Sequence, residues 1–366
     1  MNCRKVAVAM SGGVDSSVAA AKMLEEGYEV IGLTMRVWSD SQYETAPKEG
    51  RTPHDDADEA ERVARHLGIP HFELNVKETF REEVVRYFIN EYQRGCTPNP
   101  CIVCNHRIKF GVLLEKALSL GAEKMATGHY ARSGWEPDRR RYYLKKGMDS
   151  DRDQSYMLFR LNQEQLAKSI FPLGDSSKEI IRAKALQLGL NMDEKKESQE
   201  ICFIPGDDYR EFLRRQVGTF PPGPIIDTGG NHLGEHRGLP FYTIGQRKGL
   251  GVTAAEPLYV VDLRTADNTL VVGTGAETFV SGLIASELNF IAGPPPLEIE
   301  RVMARIRYRG AETPALLHPR DERGYARLQF DTPQSSVTPG QSVVFYRGDE
   351  VLGGGTIKTR LRDASP

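Results

Sequence analysis

The chain of 366 residues has no uncharged apolar run near the ~18 residues of a membrane span, which excludes a helical membrane protein. The early apolar stretch Val6–Met10 is too short for a signal-peptide core, although Ala7-Val8-Ala9 superficially matches a cleavage site; the expected location is the cytoplasm. Cysteine is scarce, and an odd count of 5 does not describe a disulfide framework. Neither sign of charge prevails: 48 Lys plus Arg against 50 Asp plus Glu leave a net charge of −2, which argues against wholesale polyanion binding. A hydrophobic share of 39% and a charged share of 27% exclude a disordered chain. The length suits two or three domains, each large enough for its own core.

Charge is nevertheless patchy. Acid gathers over Asp55-Asp56-Ala57-Asp58-Glu59-Ala60-Glu61 and base over Arg139-Arg140-Arg141-Tyr142-Tyr143-Leu144-Lys145-Lys146. Runs this short usually form a solvated helix face or hairpin; the two tyrosines raise the nucleic-acid reading of the basic one. In the first half, strand-like runs (Val6–Met10, Glu29–Trp38, His71–Val76, Glu123–Thr127) alternate with helical ones (Ser16–Glu26, Asp56–Leu67, Glu78–Arg94, Lys109–Leu120). That alternation implies an α/β fold with a parallel sheet and helices on both faces. Helical patterning continues over Gln163–Lys168 and Ser177–Leu188. From about Val217 turn residues crowd in and short strand-like runs follow, Tyr259–Asp262 and Thr269–Val272, which suggest a small, mostly β central domain. Beyond Gly293-Pro294-Pro295-Pro296, alternating runs at Arg301–Tyr308, Tyr325–Phe330 and Ser342–Tyr346 suggest a small antiparallel barrel or sandwich. The expected boundaries are 1–205, 206–280 and 281–366.

Two constellations carry chemistry. Ser11-Gly12-Gly13-Val14-Asp15-Ser16-Ser17 follows the first strand and opens the first helix. Glycines let successive N–H groups turn toward an anion, the helix N-terminus adds partial positive charge, and the serines donate hydroxyl bonds. This is a phosphate-binding layout, without the Lys of a Walker loop or the spacing of a dinucleotide fingerprint. The second is thiol-based. Of Cys3, Cys96, Cys101, Cys104 and Cys202, three fall within nine residues, around the Pro-stiffened Thr97-Pro98-Asn99-Pro100-Cys101-Ile102-Val103-Cys104-Asn105. A helix start there is expected to lower a thiol's pKa. Cys202 lies in Ser198-Gln199-Glu200-Ile201-Cys202-Phe203-Ile204-Pro205.

The heptapeptide resembles the PP-loop of ATP pyrophosphatases, which cleave ATP between the α and β phosphates and adenylate a carbonyl oxygen. Together with Thr-Pro-Asn-Pro-x-x-x-Cys-Asn and Ser-Gln-x-Ile-Cys-Phe-Ile, it resembles the tRNA-specific 2-thiouridylases. Thr127-Gly128-His129-Tyr130-Ala131, Asp153-Gln154-Ser155-Tyr156, Thr243-Ile244-Gly245-Gln246-Arg247, Arg307-Tyr308-Arg309 and Thr338-Pro339-Gly340-Gln341-Ser342-Val343-Val344-Phe345-Tyr346 extend the resemblance nearly to the C-terminus. It implies an adenine nucleotide α-hydrolase-like first domain, a small central domain and a C-terminal β-barrel. It implies an ATP site at Ala9, Met10, Ser11, Gly12, Gly13, Val14, Asp15, Ser16, Met35 and Gly128, with Mg²⁺ assisted by Asp15. Asn99, Pro100, Cys101, His129, Arg152, Asp153, Gln154, Arg307, Tyr308 and Gln341 are then expected to meet tRNA.

The implied reaction is 2-thiolation of the wobble uridine, position 34, in tRNAs for Lys, Glu and Gln. ATP adenylates the 2-carbonyl oxygen. Cys202, as a persulfide loaded by a cysteine desulfurase or sulfur-relay protein, delivers sulfur. Cys104 acts as nucleophile, releasing the sulfur as hydrosulfide or ending in a Cys104–Cys202 disulfide. One residue departs from the family pattern: the best-known members carry Asp where Cys101 stands. The substitution creates Cys101-x-x-Cys104 plus Cys202, the ligand set of a [4Fe–4S] cluster in other tRNA-thiolating PP-loop enzymes, so a cluster mechanism stays open beside the persulfide one. Zinc lacks a second Cys pair. Two further readings are another PP-loop synthetase and a non-catalytic, metal-containing RNA-binding protein.

Overall fold

The computed structural model describes residues 4–37, 53–190, 201–204, 206 and 208–362. Cys3, Trp38, Ser198, Gln199, Glu200 and Pro205 lie outside the described residues, as do the side chains of Asp55 and Asp56.

Val6, Ala7 and Val8 are fully buried in β1 (Lys5–Ala9), the continuous apolar run of a strand covered on both faces. Beside β1 lie β2 (Glu29–Arg36), then β3 (His71–Asn75), and on its other side β4 (Lys124–Thr127) and later β7 (Ser169–Ile170). The sheet order is β3-β2-β1-β4-β7, all parallel. Chain order therefore reverses between β1 and β4, and the crevice beyond their C-terminal ends is where open α/β sheets bind ligands. Helices α1 (Val14–Glu25) and α2 (Pro53–Leu67) connect the first three strands.

Two longer helical runs differ from the sequence expectation. The run over 77–93 contains a π-helical stretch, Arg81–Val85. The next starts at Pro100, well before Lys109, and is π-helical over Cys104–Leu113 before closing at Ser119. Pro100 occupies the first helical position, where its missing N–H and fixed φ suit a helix start. Cys101 and Cys104 thus sit in a helix.

The basic run is the second strand of a hairpin, β5 (Ala131–Glu136) and β6 (Arg141–Lys146). Arg139 and Arg141 pair with Glu136 and Glu350, and Lys146 with Glu312. Much of its charge is therefore neutralised within the protein, as expected of so short a run.

The central β unit holds β8 (Gly223–Asp227), β9 (His232–His236), β10 (Tyr259–Arg264) and β11 (Thr269–Gly273), in the order β10-β11-β8-β9. Its core is shared: Ile225, Phe241, Val260 and Val272 pack in one cluster with Phe80, Phe88, Ile108 and Phe203. The last unit holds β12 (Phe279–Phe290), β13 (Glu300–Arg305), β14 (Thr313–Leu317), β15 (Ala326–Ser335), β16 (Ser342–Arg347) and β17 (Glu350–Leu361). They pair antiparallel in the order β12-β15-β14-β13-β16-β17, and β17 returns to β12, closing a six-stranded barrel that leaves no free edge. The β5–β6 hairpin joins it through Lys145 and Glu350. Among the described residues, no helix is long and apolar enough to cross a membrane.

Candidate active site

The phosphate-type loop lies at the reversal point, between the ends of β1 and β4. Gly12 takes φ +67, a conformation that favours glycine, and turns the chain from β1 into α1. Gly13 is the N-cap in extended geometry and offers no side-chain acceptor to the first-turn N–H groups. The serines brace the loop: Ser16 and Ser17 hydroxyls donate to the Gly13 carbonyl at 3.0 and 2.9 Å, and the Ser11 N–H donates to Ser16 Oγ at 3.2 Å. Gly128 closes the other wall. A Cβ there would lie 2.9 Å from Asp15 C and Ser16 N, so only glycine lets the end of β4 touch the start of α1. Ala9, Met10, Val14 and Met35 occupy the same C-terminal edge, Met35 near the end of β2. The expected ATP residues are therefore gathered around one crevice, and the open first turn fits a polyphosphate.

Asp15 has partners that the sequence alone did not reveal. Its carboxylate accepts from buried Lys178 Nζ at 2.8 and 2.9 Å and from Tyr130 Oη at 2.8 Å. Both oxygens already face the Lys178 ammonium, so a magnesium ion at Asp15 would have to compete with that cation. The signal in the sequence was Lys178 itself. It stands in the first turn of the helix Lys178–Gln187, where the helix dipole disfavours a cation unless an anion compensates it.

The thiols lie along the same edge. Cys104, Met35 and Ile201 pack against one apolar cluster, which brings the segment before Cys202 and the end of β2 to the helix that carries Cys104. Cys101 and Cys202 touch solvent, yet surrounding protein desolvates all three thiols, as at the floor of an open cleft. Burial pushes Cys104 up to about 11 and Cys202 up to about 12, the latter with help from Cys104 and Cys101; Cys101 is also raised by burial. The expected lowering by a helix start is thus overturned, because Cys104 follows the first turn and desolvation dominates. Half-buried Lys109 pulls all three thiols back down and also acts on His129. In an α-helix, positions 104 and 109 would point well apart; the π-helical stretch rotates them closer to one face. Among the described residues no three Cys, His, Asp or Glu are gathered to hold a metal ion, so the thiols as placed do not fit a cluster site.

The residues expected to meet tRNA do not form one exposed patch. Arg307 is exposed, and Arg152, Gln154 and Gln341 are half-buried. Tyr308 is half-buried against Tyr156, and burial raises its phenol. Asn99 caps the cysteine helix, with Pro100 buried behind it. His129 is buried between Phe110 and Phe171, bonded to Thr127 Oγ1 at 2.8 Å, and burial drives it well below the usual imidazole range. Asp153 is buried too. It accepts from Gly147 N, Ser155 N, Ser155 Oγ and Arg305 Nη1 at 3.0–3.1 Å, and Arg305 continues to Glu312. That network fastens the α/β unit to the barrel. Gln154 exchanges backbone and side-chain bonds with Tyr130, which in turn reaches Asp15.

Residues 4–206 match the family described as tRNA methyl transferase HUP domain. Residues 210–274 match the tRNA methyl transferase PRC-barrel domain, and 280–357 the Aminomethyltransferase beta-barrel domain. The tRNA-specific 2-thiouridylase MnmA of Carboxydothermus hydrogenoformans is 50% identical over 361 residues, covering 98% of each chain. That of Acetivibrio thermocellus is 49% identical over 360 residues, 98% of this chain and 100% of the relative. Among solved structures, one described as a subunit of tRNA methyltransferase from Methanocaldococcus jannaschii aligns at 18% identity and TM-score 0.33, over 50% of this chain and 74% of that one. Full-length identity at this level, over a chain whose phosphate loop and cysteines share one crevice edge, makes this chain a member of the tRNA-specific 2-thiouridylase family.

Proposed function

We propose that this protein is a tRNA-uridine 2-sulfurtransferase acting in the cytoplasm on the wobble uridine, position 34, of tRNAs for Lys, Glu and Gln. The observation that carries the reading is that the polyphosphate crevice and the thiols share one edge of the sheet, with Met35 and Cys104 in a single cluster. A base must leave the stack to reach such a crevice. The units 1–205, 206–280 and 281–366 would embrace the tRNA together. Exposed Arg307, with Tyr308 and Arg152, suits phosphate contact and stacking.

In this scheme the uridine O2 attacks the α-phosphorus of ATP held by Gly12–Ser16, and pyrophosphate leaves. The terminal sulfur of a Cys202 persulfide, supplied by a cysteine desulfurase or sulfur-relay protein, attacks C2. AMP departs with O2. The Cys104 thiolate then attacks Cys202 Sγ, the bond from Cys202 to the transferred sulfur breaks, and C2=S remains on the base. The Cys104–Cys202 disulfide is reduced by an external dithiol. Burial raises the Cys104 thiol in the free protein and the incoming substrates are anionic, so Lys109 is the group that favours its ionisation.

The cluster reading, which the placement of the thiols does not favour, is the alternative to be tested against the persulfide route. An anaerobic assay on unmodified Glu tRNA decides between them. Iron-free protein receives a persulfide donor and iron-reconstituted protein receives sulfide; 2-thiouridine and pyrophosphate are measured. Product from the iron-free sample, lost in Cys104→Ser and Cys202→Ser while tRNA still binds, is the expected result. Product only from the reconstituted sample overturns the persulfide route. Pyrophosphate release indifferent to tRNA would indicate another synthetase, and tRNA binding without pyrophosphate a non-catalytic binder.

A further inference from the structure

The segment leading into the cysteine helix is gripped by both β units. Gly95 takes φ +73, and a Cβ there would lie 2.8 Å from Thr265 Cγ2, beside the β10–β11 turn of the central unit. Two residues on, Thr97 Oγ1 donates to Thr243 Oγ1 at 3.3 Å. From the other side comes the barrel turn before β16. The Thr97 N–H donates to the Pro339 carbonyl at 2.8 Å. Gln341 Nε2 donates to the carbonyls of Thr97 and Pro98 at 3.0 and 3.3 Å. Gly340 sits so close at φ +90 that a Cβ would come within 2.9 Å of Cys96 Cβ and Thr97 N.

The chain beyond Thr97 is stiff. Pro98 and Pro100 fix their own φ and restrict the residues before them, so Thr97 and Asn99 have little freedom. Asn99 is extended at φ −113, ψ 90, and Pro100 opens the helix that holds Cys101 and Cys104. A displacement at Thr97 therefore passes through a near-rigid strut to the thiols. Thr243–Arg247 and Thr338–Gln341 stand out in the sequence, and each reaches Thr97. Their shared contact is this strut.

We infer that Gln341, with Thr243 and the Pro339–Gly340 turn, forms a clamp through which the two β units set the position of the Cys104 thiol for sulfur transfer. Gln341 is thereby a positioning residue in the free protein, where its amide is engaged by the backbone of Thr97 and Pro98. The inference rests on the sulfurtransferase reading for its purpose, but its test does not need the reaction.

The full-length protein, without tRNA or ATP, is treated with iodoacetamide, and the modification rate of Cys104 is followed by peptide mass spectrometry in wild type, Gln341→Ala and Thr243→Val. Dissociation constants for tRNA are measured by filter binding in parallel. Loss of two backbone bonds predicts a change of at least about threefold in the Cys104 rate for Gln341→Ala, in either direction. Thr243→Val predicts a smaller change of the same sign, with its tRNA affinity within about twofold of wild type. Gln341→Glu cannot donate to the carbonyls and should match Gln341→Ala. An unchanged Cys104 rate in Gln341→Ala, or a change of opposite sign in Thr243→Val, overturns the clamp. If the wild type makes no 2-thiouridine, the functional reading fails while the alkylation rates still decide the clamp.

Discussion

Replacing Lys178 by Met tests whether the phosphate loop is held by a charge pair behind it. Lys178 Nζ lies 2.8 Å from Asp15; the Lys side chain is 6% exposed and the Asp side chain 33%. At an effective dielectric of ~20, unit charges at that distance attract by about 6 kcal/mol. Desolvation of the ammonium opposes this, and the water open to Asp15 screens it, so the net coupling should be about 1.5–3 kcal/mol. Lys178→Met leaves a carboxylate facing only the Tyr130 hydroxyl at the start of α1 and should destabilise the protein by about 2–3 kcal/mol. A double-mutant cycle isolates the pair. Urea unfolding followed by circular dichroism is run on wild type, Lys178→Met, Asp15→Asn and the double variant, all without nucleotide. The double variant should be more stable than additivity predicts by at least about 1 kcal/mol. A coupling below about 0.5 kcal/mol would refute the idea that the pair braces the loop.

Gly128→Ala should destabilise by about 1–3 kcal/mol and weaken ATP binding by about tenfold or more, since a methyl would push Asp15 and Ser16 backbone apart; a wild-type melt and ATP titration would contradict that contact. His129 is neutral in the fold because burial lowers its pKa, whereas the unfolded chain protonates near the ordinary value. Its contribution is therefore complete above pH ~6.5 and lost as pH falls below it, by at most about 1.4 kcal/mol per pH unit. His129→Gln should flatten the stability profile between pH ~6.5 and ~5 relative to wild type, and parallel profiles would refute the assignment. Lys109→Met should slow iodoacetamide modification of Cys202 and Cys104 at pH ~8 by about threefold and move their pH profiles upward, with Lys109→Arg restoring them; unmoved profiles would remove Lys109 from the thiol field.

The alternating strands and helices of the first half follow from local periodicity, and that alternation made the parallel sheet readable, with Val6–Val8 the unbroken apolar run of a covered strand. The glycine-serine heptapeptide was equally legible: its function resides in a backbone turn and a helix start, both set by a few adjacent residues. Full-length motif spacing likewise indicated the family. The barrel was legible only in part. Arg301–Tyr308 and Ser342–Tyr346 alternate, but β12, β14 and β17 were not separable, because strand identity there depends on cross-strand partners far along the chain.

Tertiary structure alone decided the rest. The sign of the thiol shift could not be read from sequence, since a helix start lowers a pKa while desolvation raises it, and only the surroundings say which prevails. Nor could the partners of Asp15, which come from residues 130 and 178, more than a hundred positions away. Burial of His129 and Asp153 and the two-sided grip on Thr97 have the same origin. Residue type and spacing are local and survive in a one-dimensional reading. Desolvation and long-range contact are properties of the three-dimensional neighbourhood, and they determine which of the conspicuous residues can face a substrate.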